Sequence, residues 1–258
     1  MLDVNLAAWL CWILPVIGGV LALLFARFDR RIRAGVAVLF SFLAWLMACL
    51  LLPELPSAKL IDSSAFWVRL SNNASLSIGM LIDPLSIILA NVVAFLGFII
   101  MLYSFKYVEG DSGETRYWFL MSLFIGSMLL LILADNLILF FIGWKIVGLC
   151  SYALIGHYYS DEKEHWIGGP PPFPFQKPSR CGLKALLVTT FGDVSLLAGI
   201  IVVYLYAGTF NFAQLYQTAS NWLGSMASNP GIIALTAVLL LGGPIAKSAQ
   251  FPLHEWLP

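Results

Sequence analysis

The sequence predicts an all-α fold, a polytopic membrane helix bundle of about seven transmembrane spans with a broken seventh helix. Two observations carry the bundle, and a third carries the break. Of 258 residues, 60% are hydrophobic and 11% charged. Soluble chains carry roughly 25% charged residues, so this one cannot clothe a soluble surface. The apolar residues gather in blocks long enough to cross a hydrocarbon core as helices. The last block holds Pro244 and Pro252, and an interior proline removes a backbone donor.

Taken in order, the first span covers about Asn5–Phe25. Its leading charge is Asp3 rather than a basic cluster, and it is long for a signal sequence, so it reads as a retained span. The next five cover Ala34–Leu52, Leu81–Tyr103, Tyr117–Ala134, Leu137–His157 and Leu183–Tyr206, and the last covers Gly231–Trp256. The stretch Pro53–Met80 is polar and mixed, and reads as a short hairpin lying on the membrane. The link Tyr158–Gly182 holds Gly168, Gly169, Pro170, Pro171, Pro172, Pro174 and Pro178, so it is not regular helix. It reads as an ordered or semi-rigid loop that touches a neighbour.

Orientation follows from lysine and arginine placement. The links after spans one, three and five hold ten basic residues, including Arg27, Arg30, Arg31 and Arg33. The alternate links hold two, Lys59 and Arg69. Basic links stay in the cytoplasm, which puts the N-terminus outside a plasma membrane.

Several function classes find no support. The net charge is zero, so nothing suggests nucleic acid. Cys11, Cys49, Cys150 and Cys181 form no CxxC pair, which argues against a cluster or a zinc site. No phosphate-binding glycine loop and no nucleophile elbow occurs. No metal and no redox cofactor is expected in this chain.

The informative residues are ionisable groups inside apolar spans, because a charge at mid-bilayer costs from ~2.5 kcal/mol upward. Lys145 lies ~14 Å into span five, and Asp193 lies ~15 Å into span six. Lys247 follows Pro244, with Gly242 and Gly243 leaving room beside it. Interrupted helix at membrane depth is tolerated where it lines a watered cavity. A desolvated lysine gives up its proton more readily, and a nearby carboxylate opposes this, so moving the carboxylate loads or unloads the lysine. Two readings stand: the three groups line a proton path, or Asp193 and one lysine form a structural ion pair. His254, beyond Pro252, reads either as part of the path or as a satisfied interior histidine. Asp83 and Asp135 sit at span ends, where solvation at the interface makes a carboxylate inexpensive.

Certain strings resemble a known family. These are Asp83-Pro84-Leu85-Ser86, Leu133-Ala134-Asp135-Asn136-Leu137, and Gly143-Trp144-Lys145 running on to Tyr152. Leu183-Lys184-Ala185, Gly192-Asp193-Val194 and Lys247-Ser248-Ala249-Gln250-Phe251-Pro252-Leu253-His254-Glu255-Trp256 complete the set. They resemble the L subunit of NADH–quinone oxidoreductase, a complex I antiporter-like subunit similar to the large Mrp antiporter subunit. The Pro-rich loop looks most like the archaeal branch, in which a reduced deazaflavin replaces NADH.

The resemblance implies a larger bundle built from two inverted five-helix repeats, of which this chain is the N-terminal part. It implies two spans and an external link over residues 1–80, then an incomplete antiporter-like repeat over 81–258. The implied work is proton translocation coupled to electron transfer from the donor to quinone. Quinone and redox cofactors sit in partner subunits, and other membrane subunits are neighbours. The implied path residues are Lys247, Asp193, His254 and Lys184, with Lys145 standing where the family has a glutamate. Thr190 stands where a basic residue is usual. Three explanations of Lys145 stay open: a rewired relay, a half that has lost pumping, or a sequence error. The same motifs fit an Mrp-type cation/proton antiporter, an inorganic-carbon uptake subunit, or a truncated scaffold with no ion path.

Overall fold

The structure is a computed structural model that describes residues 3–27, 29–57, 60–71, 74–166, 168 and 175–257. Lys59, Gly169, Pro170, Pro171, Pro172 and Pro174, which entered the reading above, lie outside the described residues. Helices α1 (Val4–Leu24) and α2 (Arg30–Cys49) come first. Strands β1 (Ile61–Ser71) and β2 (Ala74–Ile82) pair in a two-stranded sheet, so the polar stretch is a hairpin as expected. Then come α3 (Pro84–Tyr107), α4 (Glu114–Leu133), α5 (Leu137–Ile155), α6 (Pro178–Ala207), α7 (Phe212–Gln217), α8 (Ala219–Ala227) and α9 (Pro230–Lys247). Among the described residues, seven helices are long and apolar enough to cross a membrane: α1 to α6 and α9.

Local chemistry sets the helix starts. Asp3 and Asp29 each cap a helix by accepting a backbone N–H two residues on. Asp83 and Ser86 form a capping box on α3, with Ser86 N donating to Asp83 at 2.7 Å and Asp83 N donating to Ser86 Oγ at 2.9 Å. The structural role of Asp83 at a span end is therefore helix capping. Helix α6 starts at Pro178, five residues before the apolar block, because proline suits a first helical turn. It ends at Gly208, whose φ of +71° lets its N–H close on Tyr204 O at 2.8 Å.

The seventh span is shorter than expected. Pro244 lies inside α9, the helix runs three residues past it to Lys247, and residues 248–257 are turns. The break therefore follows Lys247 instead of preceding it.

The chain divides into two compact units, Met1–Trp67 with Ser77–Cys150, and Val68–Leu76 with Ser151–Pro258. In the first, α1 packs on α2 and α4, and α3 packs on the same two helices. Their contacts are made by small residues such as Ala8, Cys11, Ala44, Ala48, Ala90 and Ala94, all fully buried. Small residues let backbones approach closely in lipid, where apolar burial gives no drive. In the second unit α6 packs on α8 and α9, and α8 also touches α7 and α9.

At the end of the first unit where α2 and α4 begin, charges are buried together. Arg30 meets Glu109 at 3.0 Å and Glu114 at 3.3 Å. Arg33, 9% exposed, lies 3.5 Å from Glu114 and donates to Ala26 O at 3.2 Å. Glu114, 5% exposed, also accepts from the Trp118 indole at 3.2 Å. Removing one member of a buried pair strands the other's charge. Glu114→Ala is therefore expected to lower stability by about 3 kcal/mol, and Glu114→Gln by less. Thermal unfolding of the full-length subunit in its complex measures this, and an unchanged midpoint for Glu114→Ala means the pair is not structural.

Candidate functional site

The contact between α6 and α9 is built on glycine. A Cβ placed on Gly192 would overlap Ala246 and the Gly242 carbonyl, so the two backbones approach closely there. Asp193 follows Gly192 and Lys247 follows Ala246, so both charged residues flank this contact. Asp193 is 2% exposed and sits midway along α6, while Lys247 is half-buried at the end of α9. One turn further on Ser195 Oγ donates to Leu239 O at 2.9 Å, and two turns on Gly199 takes the side chain of Leu240. Pro244 offers no N–H to the Leu240 carbonyl one turn back, which leaves an acceptor without its helical donor in this part of α9.

Beyond Lys247 the chain turns back on itself. Ser248 N reaches Pro244 O at 2.9 Å, and Gln250 N reaches Ile245 O at 3.0 Å. Ala249 adopts φ +49°, a left-handed position that stops the helix. The Trp256 indole donates to Ala246 O at 2.8 Å and so serves a helix end. This return brings Glu255 to 3.5 Å from Lys184 on α6. Both side chains are about half exposed or more, so the pair adds only ~0–1 kcal/mol. His254 is exposed, its ring 5.9 Å from Phe251, and so is not the interior histidine that one reading of it required.

Of the five candidate residues, Asp193 and Lys247 flank the close α6–α9 contact, and Lys184 is set against Glu255. Lys145 belongs to the other unit. It lies mid-way along α5 and is half-buried. Beside it Trp144 stacks on Phe140 at 5.8 Å, and Gly143 lies against Leu131 and the Ser127 carbonyl of α4.

Two features escaped the sequence reading. Glu255 drew no notice, because its partner lies 71 residues away. Asp135 was read as a carboxylate solvated at the interface, yet it is 0% exposed. Strand β2 covers it: Ser77 Oγ lies 3.4 Å from its carboxylate, and its own N–H donates to Gly79 O at 3.2 Å. Asn136 donates to the same carboxylate and to Ser77 O at 3.0 Å, while its Oδ1 accepts from Leu139 N at 2.8 Å and caps α5. Burial raises the Asp135 carboxyl above the ordinary range, the neighbouring Asp62 adds to this, and the bonds from Asn136 and Ser77 only partly offset it. At the start of α6, by contrast, Ser179 donates to Asp161 through its hydroxyl at 2.6 Å and its N–H at 3.0 Å, holding that carboxyl low.

Comparison with known proteins agrees with this architecture. Residues 134–258 match the family described as NADH:quinone oxidoreductase/Mrp antiporter, TM, and residues 67–118 match the NADH-ubiquinone oxidoreductase (complex I), chain 5 N-terminus. Both models describe complex I and Mrp antiporter-like subunits, which this chain resembles over the two matched stretches. It is 35% identical over 261 residues to NAD(P)H-quinone oxidoreductase subunit 5, chloroplastic, of Anthoceros angustus, covering 97% of this chain and 33% of that protein. The chain thus spans about a third of the length of the curated relatives it matches. The Mrp complex from Dietzia sp. is similar at 26% identity and a TM-score of 0.70, over 99% of this chain and 25% of that one. An archaeal respiratory complex, the membrane-bound sulfane sulfur reductase, shares the fold at a TM-score of 0.76 and 21% identity, over 96% of this chain and 46% of that one. The chain is a multi-pass membrane protein.

The sign of the Asp135 effect is fixed by its burial. A carboxyl that holds its proton more tightly folded than unfolded contributes stability while protonated, and loses it as pH rises through the folded value. Stability is therefore expected to fall as pH climbs above the ordinary carboxylate range, and Asp135→Asn should flatten that fall. Melting midpoints of the full-length complex between pH 5 and pH 9 test this, and an equal slope in both proteins would count against it.

Proposed function

We propose that this chain is part of a proton-translocating, antiporter-like membrane subunit of a complex I-type enzyme. The observation that carries the proposal is the buried Asp193 on α6 beside the close contact with α9, at whose end Lys247 stands. A carboxylate nine-tenths or more out of water in an apolar helix is costly unless it serves a partner or a path. Beside a lysine at an interrupted helix, it forms a pair through which a proton is held and passed on. The carboxylate keeps the lysine charged while near, and the lysine releases its proton when the carboxylate draws away.

In this role the chain binds no redox cofactor and no metal itself. Donor, NADH or a reduced deazaflavin, and quinone are handled by partner subunits, and other membrane subunits flank the chain. The bias of lysine and arginine supports an N-terminus outside a plasma membrane. Lys184 with Glu255, and the exposed His254, stand at one end of α6 and α9 as the polar approach to the pair. Lys145, on the other unit, takes the place where the family carries a glutamate. The relay proposed here runs through Asp193 and Lys247 and does not require a carboxylate at position 145.

A second reading, an Mrp-type cation/proton antiporter subunit, is favoured by the 26% identity to the Dietzia sp. Mrp complex. Vesicles containing the whole complex with the full-length subunit decide. Lys247→Ala should cut proton uptake per electron pair by tenfold or more, and unchanged uptake would remove Lys247 from the path. Uptake driven by a sodium gradient with no electron donor present would favour the antiporter reading.

A further inference from the structure

A groove of about 540 Å³ runs between α2 and α3 in the first unit, lined by Gly35, Val38, Leu39, Phe42, Phe98, Leu102 and Phe105. Its size is within the range of sites for small organic ligands, ~300–1,000 Å³. All its lining is apolar. Leu39 and Leu102 are each 52% exposed, so its walls open to the hydrocarbon side. At one end the floor is missing: a Cβ on Gly35 would meet nothing within 4 Å. The other rings, Phe42, Phe98 and the neighbouring Trp45, are packed on one another, with Trp45 stacked on Phe98 at 5.9 Å. The groove is thus a formed channel with an open end and is not a gap between loose side chains.

The open end lies at the charged edge of the unit. Arg31 is one helical turn before Gly35, on the same face of α2, and Lys106 is one turn after Leu102 on α3. The carboxylates at this edge are already engaged. Asp29 caps α2, Asp111 accepts from Gly113 N at 2.7 Å, Glu109 takes Arg30 and Lys106, and Glu114 takes Arg30 and Arg33. Among the described residues Arg31 and Arg27 have no carboxylate partner, and both are exposed. The Lys106 ammonium, 88% exposed, keeps donors to spare beyond Glu109. An apolar groove that ends beside guanidinium groups with no carboxylate partner matches one chemistry, an acyl chain joined to a phosphate. Arginine binds phosphate oxygens in a forked geometry, and basic residues at the membrane edge draw anionic lipid.

We propose that the α2–α3 groove seats an acyl chain of one anionic phospholipid, with its phosphate against Arg31 and Lys106. The occupant is a lipid, because the apolar groove ends beside cationic groups with donors to spare, which a lipid phosphate answers. The site lies on a different unit from Asp193 and Lys247, so it stands or falls apart from the proton path.

The test uses the whole complex with the full-length subunit, in phosphatidylcholine vesicles holding a trace of phosphatidylglycerol or phosphatidylcholine with a photoreactive acyl chain. Labelled residues are read by mass spectrometry. Phosphatidylglycerol should label α2 and α3 around Leu39, Phe42 and Leu102 at least fivefold more than phosphatidylcholine. Arg31→Gln should bring the two lipids level, and Gly35→Leu, whose side chain enters open space without striking the protein, should cut labelling by both about tenfold. Equal labelling by the two lipids in the native complex would overturn the headgroup site. Labelling unmoved by Gly35→Leu, or a partner subunit's helix cross-linked to these residues instead of lipid, would overturn the groove as its seat.

Discussion

The bilayer core supplies no water, and the closeness of α6 and α9 follows from that constraint. A charged group there must find its partners within the protein. Gly192 removes the side chain that would hold the helices apart, and Gly242 and Ala246 answer it from the other side. With the backbones close, Ser195 can reach a carbonyl of α9, and Asp193 and Lys247 flank the contact. A bulkier residue at 192 would force the helices apart. Glycine in mid-helix loses helical propensity, ~1 kcal/mol relative to alanine, and here the close approach offsets it.

The same economy governs the ends of the spans. Polar groups that cannot face lipid are drawn under covers of backbone or paired charge. Asp135 and Asn136 are closed over by β2, so the hairpin also acts as a lid on the α4–α5 turn. Glu114 is closed in by Arg30, Arg33 and Trp118. At the far end of α9, Trp256 takes a carbonyl that the interrupted helix leaves open. Asp135 and Glu114 thus find partners far along the chain, while Trp256 lies ten residues from the carbonyl it takes.

Legibility followed the range of the interactions. The spans were readable because twenty apolar residues in a row leave few alternatives, and the hairpin was readable as a polar interlude between them. The starts of α1, α2 and α3 were written in Asp3, Asp29 and Asp83, each acting within three residues. The positions of Lys145, Asp193 and Lys247 along their helices followed from counting. What counting could not supply was burial. Asp135 looks like any carboxylate at a span end, because Ser77 lies 58 residues before it. Helices α7 and α8 were not anticipated. They are six and nine residues long, too short for a periodic signal, although Asn211 capping Gln214 N at 3.0 Å marks the first of them. The end of α9 at Lys247 escaped because Pro244 and Pro252 drew attention, while the positive φ at Ala249 has no sequence mark.

The central claim is that Asp193 and Lys247 act as one unit. Proton uptake by the whole complex, measured with Asp193→Asn, Lys247→Ala and both changes together in the full-length subunit, tests it most directly. Residues that act as a unit are non-additive. The account predicts that the double variant is no slower than the slower single variant. Losses that multiply in the double variant would show two independent sites and contradict the pairing.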